Sequence, residues 1–163
     1  MPLHELLGDV LRKDIGLFQM TVADMTDADL LQRPVPGSNN ALWQLGHLIK
    51  AEANMVNEAA GKTVVDLPVG FGDRFKRDTA NVDDVAKLGT KADLTALLVK
   101  VRDQTCAWVA TLTPADLAKP APESLRRMVP TVGHLAHLFP VHLAMHVGQI
   151  QVLRRKLGKP VLF

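Results

Sequence analysis

The stretch Val141-His142-Leu143-Ala144-Met145-His146-Val147-Gly148-Gln149-Ile150, near the end of a 163-residue chain, decides how the rest of the sequence is read. On an α-helix, His142 and His146 sit one turn apart and about 40° around the axis, so both imidazoles face one target. From Met128 to Leu153 there is no Asp, Glu, Lys or Arg, and Leu135, Leu138, Leu143, Ile150, Val152 and Leu153 leave little of the surface polar. The expectation is a buried helix. Imidazoles in an apolar interior need hydrogen-bond partners or a metal, because an unpaired polar group there costs on the order of 1 to 3 kcal/mol. Two histidines make half of a tetrahedral site, and the third ligand has to come from elsewhere.

The length fits one domain over 1–163 that buries about two-thirds of its unfolded surface. Tyrosine is absent and phenylalanine and tryptophan are scarce, which with abundant Leu, Ala, Val and Met favours helix over strand. A formal charge of +2 with no basic stripe argues against nucleic acid as a partner and predicts no steep salt-dependent DNA affinity. Cys106 is the only cysteine, so no internal disulfide can form and a reducing cytoplasm is the simplest compartment. The first residues do not read as a signal peptide. The charge-free run could span a bilayer by length, but its histidines, glutamines and prolines argue against a membrane segment.

Outward from that run, the pattern predicts four helices in two pairs. Pro2 opens an amphipathic helix through Leu3, Leu7, Leu11, Ile15 and Phe18 to about Met25, and Thr26 with Asp29 makes a capping turn. After Pro34, Pro36 and Gly37, one of Ser38, Asn39 or Asn40 caps a second helix that runs to about Ala59 and stops at Gly61. His47 interrupts its apolar stripe of Leu42, Leu45, Leu48, Ile49, Met55 and Val56. Lys62 to Gly89 has no periodicity, and Phe71 and Phe75 within it suggest a lid or an oligomer contact rather than disorder. Thr90 caps a third helix, Thr113 to Leu117 makes a second turn, and Thr131 caps the fourth helix, which Pro140 should bend or restart. Arg154-Arg155-Lys156 reads as a solvated helix end. A shift of 87 residues lays Val22, Ala23, Thr26, Asp29, Leu30, Gly46 and His47 onto Val109, Ala110, Thr113, Asp116, Leu117, Gly133 and His134, as an internal repeat would.

Side-by-side packing of the second and fourth helices can converge His47, His142 and His146 on one point. That is a three-histidine site with an open position, suited to zinc and also to nickel, iron, manganese or cobalt. The competing reading is three satisfied core histidines, each bonding a backbone carbonyl. His134 lies about 80° around the axis and two turns from His142, so it and His137 read as packing or surface residues and His4 as exposed. Gln149 shares the face of His142 and His146 and could orient a ligand. Asn54, two turns beyond His47, could touch substrate, as could Arg74 in the irregular segment. Gly46 and Gly148 would permit close helix approach.

Leu45-Gly46-His47-Leu48, and His142-x-x-x-His146-x-Gly148-Gln149-Ile150 followed by Leu153-Arg154, resemble the DinB-like (YfiT-like) superfamily of all-α four-helix bundles. The resemblance covers nearly the whole chain, and Pro140 is a departure from the usual last helix. It implies a divalent metal, zinc or nickel, held by His47, His142 and His146, and commonly a homodimer. Some members are thiol-dependent enzymes that use bacillithiol, mycothiol or glutathione as cosubstrate. The expected function is a metal-dependent transferase or hydrolase acting on a small molecule. The rival expectation is a non-enzymatic metal-binding or stress-related module.

Overall fold

The computed structural model describes residues 1–162, which form helices and turns without a strand. The α-helices are α1 (Leu3–Val22), α2 (Asp27–Leu31), α3 (Ala41–Ala60), α4 (Val85–Leu88), α5 (Lys91–Ala110), α6 (Pro114–Ala118) and α7 (Val132–Lys156). Four long ones make the bundle. Helix α1 packs against α5 and α7, and α3 packs against the same two, so α3 and α7 are neighbours and both histidine-bearing elements share an edge. The core between them includes Leu11, Phe18, Leu42, Ile49, Val56, Leu98, Val101, Val109, Leu135, Leu143 and Ile150. Among the described residues, no helix is long and apolar enough to cross a membrane.

Local chemistry sets the boundaries. Thr26 and Asp29 form a full capping box on α2, and Thr113 and Asp116 repeat it on α6 at the same 87-residue offset. Asn40 caps α3 by accepting from the Trp43 amide, and Gly61 ends it with a left-handed φ of 66°. Thr90 and Thr131 cap α5 and α7. Helix α1 stops at Val22, short of Met25, whose side chain still reaches the core.

Of the two outcomes expected at Pro140, a restart does not occur, since one helix runs through it from Val132 to Lys156. Helix α7 is also not buried all round, since Val141, Met145 and Val152 are 41%, 56% and 44% exposed. A corner helix covers only the sectors facing its two neighbours, and absence of charge does not cover the rest. Conversely, Arg154 is not a solvated helix end. It is buried, donates to the Thr21 carbonyl at 2.8 Å and to the Pro160 carbonyl at 3.0 Å, and pairs with Asp24.

The segment between α3 and α5 is folded onto its own chain. Phe71, Phe75 and Leu88 are buried, and Arg74 lies over both rings at 4.8 and 5.6 Å. Asn40 donates to the Val82 carbonyl and the Asp83 carboxylate, both at 2.7 Å, which ties the end of the segment to the start of α3.

Candidate metal centre

His47 on α3 faces His142 and His146 on α7. Ring centroids are 5.2 Å apart for His47 and His142, 5.5 Å for His47 and His146, and 4.9 Å for His142 and His146. One ring nitrogen from each lies within 4.8 Å of those of the other two. His134 and His137 are exposed and outside this cluster, and His4 is half-buried rather than exposed.

A chain of hydrogen bonds decides which nitrogen of His146 is free. The Gln44 amide donates through Nε2 to the Asn39 carbonyl at 2.8 Å, which turns its Oε1 toward His146 Nδ1 at 3.0 Å. Because Oε1 can only accept, Nδ1 must carry the hydrogen and Nε2 is left as a lone pair. That lone pair points at His142 Nε2, 3.2 Å away. Tetrahedral coordination with Zn–N of about 2.0 to 2.1 Å places nitrogens roughly 3.3 Å apart, so this pair has the required spacing. The donor set fits a divalent ion of the imidazole-binding kind.

The surroundings keep the rings neutral. Burial pushes His47 and His146 down to about 4 and also lowers His142. Lesser contributions come from His142 acting on both of the others and from Lys50 acting on His47, while the Gln149 amide opposes the shift at His146. Trp43 stacks on His47 with centroids 5.3 Å apart and planes 5° from parallel, and its Nε1 donates to Thr79 Oγ1 at 3.1 Å. The 62–89 segment therefore helps hold the His47 ring.

Gly46 serves this segment and not a neighbouring helix. A Cβ there would lie 2.0 Å from Phe75 Cε1, whereas a Cβ on Gly148 would meet nothing within 4 Å. Gly46→Ala should therefore displace Phe75 and the segment with it. Overpacking of about 1 to 3 kcal/mol outweighs the roughly 1 kcal/mol gained in helix propensity. Thermal unfolding should show a lower midpoint, and a raised one would mean that the ring does not occupy this place.

Two clefts meet at the histidines. One, of about 530 Å³, is lined by Asn39, Trp43, His47, Lys50, Ala51, Phe75, Arg77, Ala80 and His146. The other, of about 750 Å³, is lined by His47, Ala51, Asn54, Met55, Glu58, Leu125, Leu138, His142 and neighbouring residues. Asn54 thus lies where a substrate could reach it. Arg74 lines neither, being engaged with Phe71, Phe75 and the Leu88 carbonyl. Gln149 is exposed beside His146, on the rim of a neighbouring groove shared with Gln44. Gln44, Lys50 and Arg77 are the residues that the sequence reading did not single out. Gln44 and Lys50 carried a signal, since each lies three residues from His47 and so shares its face.

The sequence model of the DinB superfamily matches residues 11–150, which takes in all three histidines. The chain belongs to the DinB superfamily. Among solved structures, this DinB superfamily protein is similar to one described as a conserved protein from Enterococcus faecalis, at 18% identity and a TM-score of 0.73, covering 98% of this chain and 99% of that one. Identity at that level speaks for the fold alone. No curated protein matches the DinB superfamily chain closely.

Proposed function

We propose that this is a single-domain metal-dependent enzyme, a thiol-dependent transferase or a hydrolase acting on a small molecule, with His47, His142 and His146 as the metal ligands. The observation that carries the reading is the 3.2 Å approach of the His142 and His146 Nε2 atoms, with the His146 tautomer set by Gln44 and the His47 ring facing both. Zinc or nickel suits three neutral imidazoles. Such an ion, when bound, supplies Lewis acidity that brings the pKa of a thiol or water toward neutrality. Gln44 orients His146, Trp43 and Phe75 screen one side from solvent, and Asn54 lies in position to contact substrate. Gln149 has access to His146 from the open side.

Among the described residues, the only carboxylate lining either cleft is Glu58, which is hydrogen-bonded by Ser124. A low-molecular-weight thiol is therefore the favoured cosubstrate, because a thiolate, once formed, needs no general base. The single cysteine fits a reducing cytoplasm, and the exposed Val141, Met145 and Val152 along α7 favour a homodimer. The second reading, a metal-binding module without turnover, draws on the same lack of an acid or base at the centre. Elemental analysis of the purified protein, with an activity screen using glutathione or bacillithiol and a chloronitrobenzene electrophile, separates them. About one ion per chain with turnover supports the enzyme, the ion without turnover supports the module, and no ion sinks both.

A free histidine is more than half protonated below about 6.5, but His47 and His146 stay neutral to about 4. Protons therefore compete poorly with the metal until well below pH 6, and about one ion per chain should survive dialysis at a pH of about 5. Loss of most metal by a pH of about 6 would contradict this. Thermal stability is a poor substitute readout. Between about 6.5 and 4 the neutral histidines make the fold lose stability as pH falls, because the unfolded chain binds the protons. Asp14 and Glu52, pushed up by burial, act in the opposite direction above their unfolded values.

A further inference from the structure

The two clefts beside the histidines differ in chemistry and touch each other. Lys50, one turn after His47, and Arg77, at the start of the turn following Phe75, line one of them, with no carboxylate there among the described residues. Lys50 spends one donor on the Phe75 carbonyl at 3.2 Å. The exposed Arg77 side chain makes no hydrogen bond or ion pair among the described residues, whereas Lys76 beside it is paired with Asp73 at 2.6 Å. The other cleft is apolar over most of its wall, through Met55, Leu125, Met128, Leu138 and Met145. His47 and Ala51 line both, and at Ala51 the wall between them is only a methyl group.

We propose that the substrate is an anionic amphiphile, with a carboxylate or phosphate head between Lys50 and Arg77 and an apolar tail passing over Ala51 into the methionine- and leucine-lined cleft. The inference rests on the metal-centre reading for what happens to the molecule, but not for how the molecule is held. A two-cation pocket selects negative charge through charge-assisted hydrogen bonds, and the apolar cleft adds affinity with each buried methylene. A bond near the head group then lies beside the three histidines. Lys50 and Arg77 set specificity, and Ala51 keeps the passage open.

The test uses the full-length protein stripped of metal by a chelator that is then removed, titrated calorimetrically with octanoate, octyl phosphate, octan-1-ol and butyrate. One of the two anions should bind at least about tenfold more tightly than octan-1-ol, the ratio expected for one charge-assisted contact, and which one it is identifies the head group. Arg77→Gln should remove about that factor for the anion and leave octan-1-ol unchanged. Ala51→Leu should leave butyrate binding in place and abolish the gain from butyrate to octanoate. Equal binding of octanoate, octyl phosphate and octan-1-ol, or anion binding indifferent to Arg77→Gln, overturns the proposal. Anion binding that requires added metal also overturns it, since the head group would then be a ligand of the ion. Cobalt uptake by the same Arg77→Gln protein should equal that of the parent, so a failure of the three-histidine reading registers separately from a failure of the anion pocket.

Discussion

His146→Ala is expected to take the metal content from close to one ion per chain to below about a tenth, because two imidazoles cannot complete a three-histidine centre. Any turnover should go with it. The loss has two parts. One ligand disappears, and Gln44, which is buried with Oε1 turned toward Nδ1 of His146, loses its partner. Leaving that acceptor unpaired costs about 1 to 3 kcal/mol of stability, a small change beside the loss of the site. Gln44→Leu separates the parts, since it keeps all three ligands and frees the ring to turn. Metal affinity should fall about 10- to 100-fold there, the usual cost of removing the group that orients a ligating histidine. His134→Ala and His137→Ala, both exposed and outside the cluster, should keep full metal content. Elemental analysis of the four variants is the measurement, and full occupancy in His146→Ala would end the assignment of these histidines as ligands.

Signals confined to one helix were the legible part of this chain. Thr26, Thr90, Thr113 and Thr131 cap where hydroxyls before apolar runs should cap, and Gly61 stops α3 as a left-handed glycine should. The i,i+4 spacing of His142 and His146 carries their common direction by helix geometry alone. His47 was legible because a lone imidazole in an apolar stripe demands a partner. Facts set by another element were hidden. Nothing near Gln44 distinguishes it from Gln149, and what separates them is the Asn39 carbonyl that locks one amide. Phe75 gives no hint that its ring needs the missing side chain of Gly46, and a basic run ending α7 does not reveal that Arg154 turns inward to Asp24. Charged side chains read as solvated until a distant carboxylate is known to wait for them.

Arg102→Leu should lower stability by about 3 to 5 kcal/mol, the cost of breaking a buried ion pair from one side. Arg102 on α5 donates from Nε and Nη2 to both oxygens of Glu52 on α3, at 3.0 and 2.9 Å, and from Nη1 to Asp14 at 2.5 Å and the Leu11 carbonyl at 3.1 Å, both on α1. One guanidinium thus joins three helices of the bundle, with its side chain and that of Glu52 only 2% and 5% exposed. Burial raises the pKa of Glu52 and the Arg102 charge opposes it, so removing the cation strands a carboxylate that must either stay charged in a dry interior or take up a proton. For a chain of this length each kcal/mol moves the midpoint by about 2 to 4 °C, so a drop of roughly 6 to 20 °C is expected in thermal unfolding of the metal-free protein. The loss should shrink at a pH of about 5, where the stranded carboxyl protonates more easily. Glu52→Leu added to Arg102→Leu should recover part of it, because the Glu52 carboxylate is then no longer stranded, although Asp14 still loses its partner. A single variant that unfolds within about 1 kcal/mol of the parent would mean that Glu52 is already neutral in the folded protein and that the bundle does not depend on this pair.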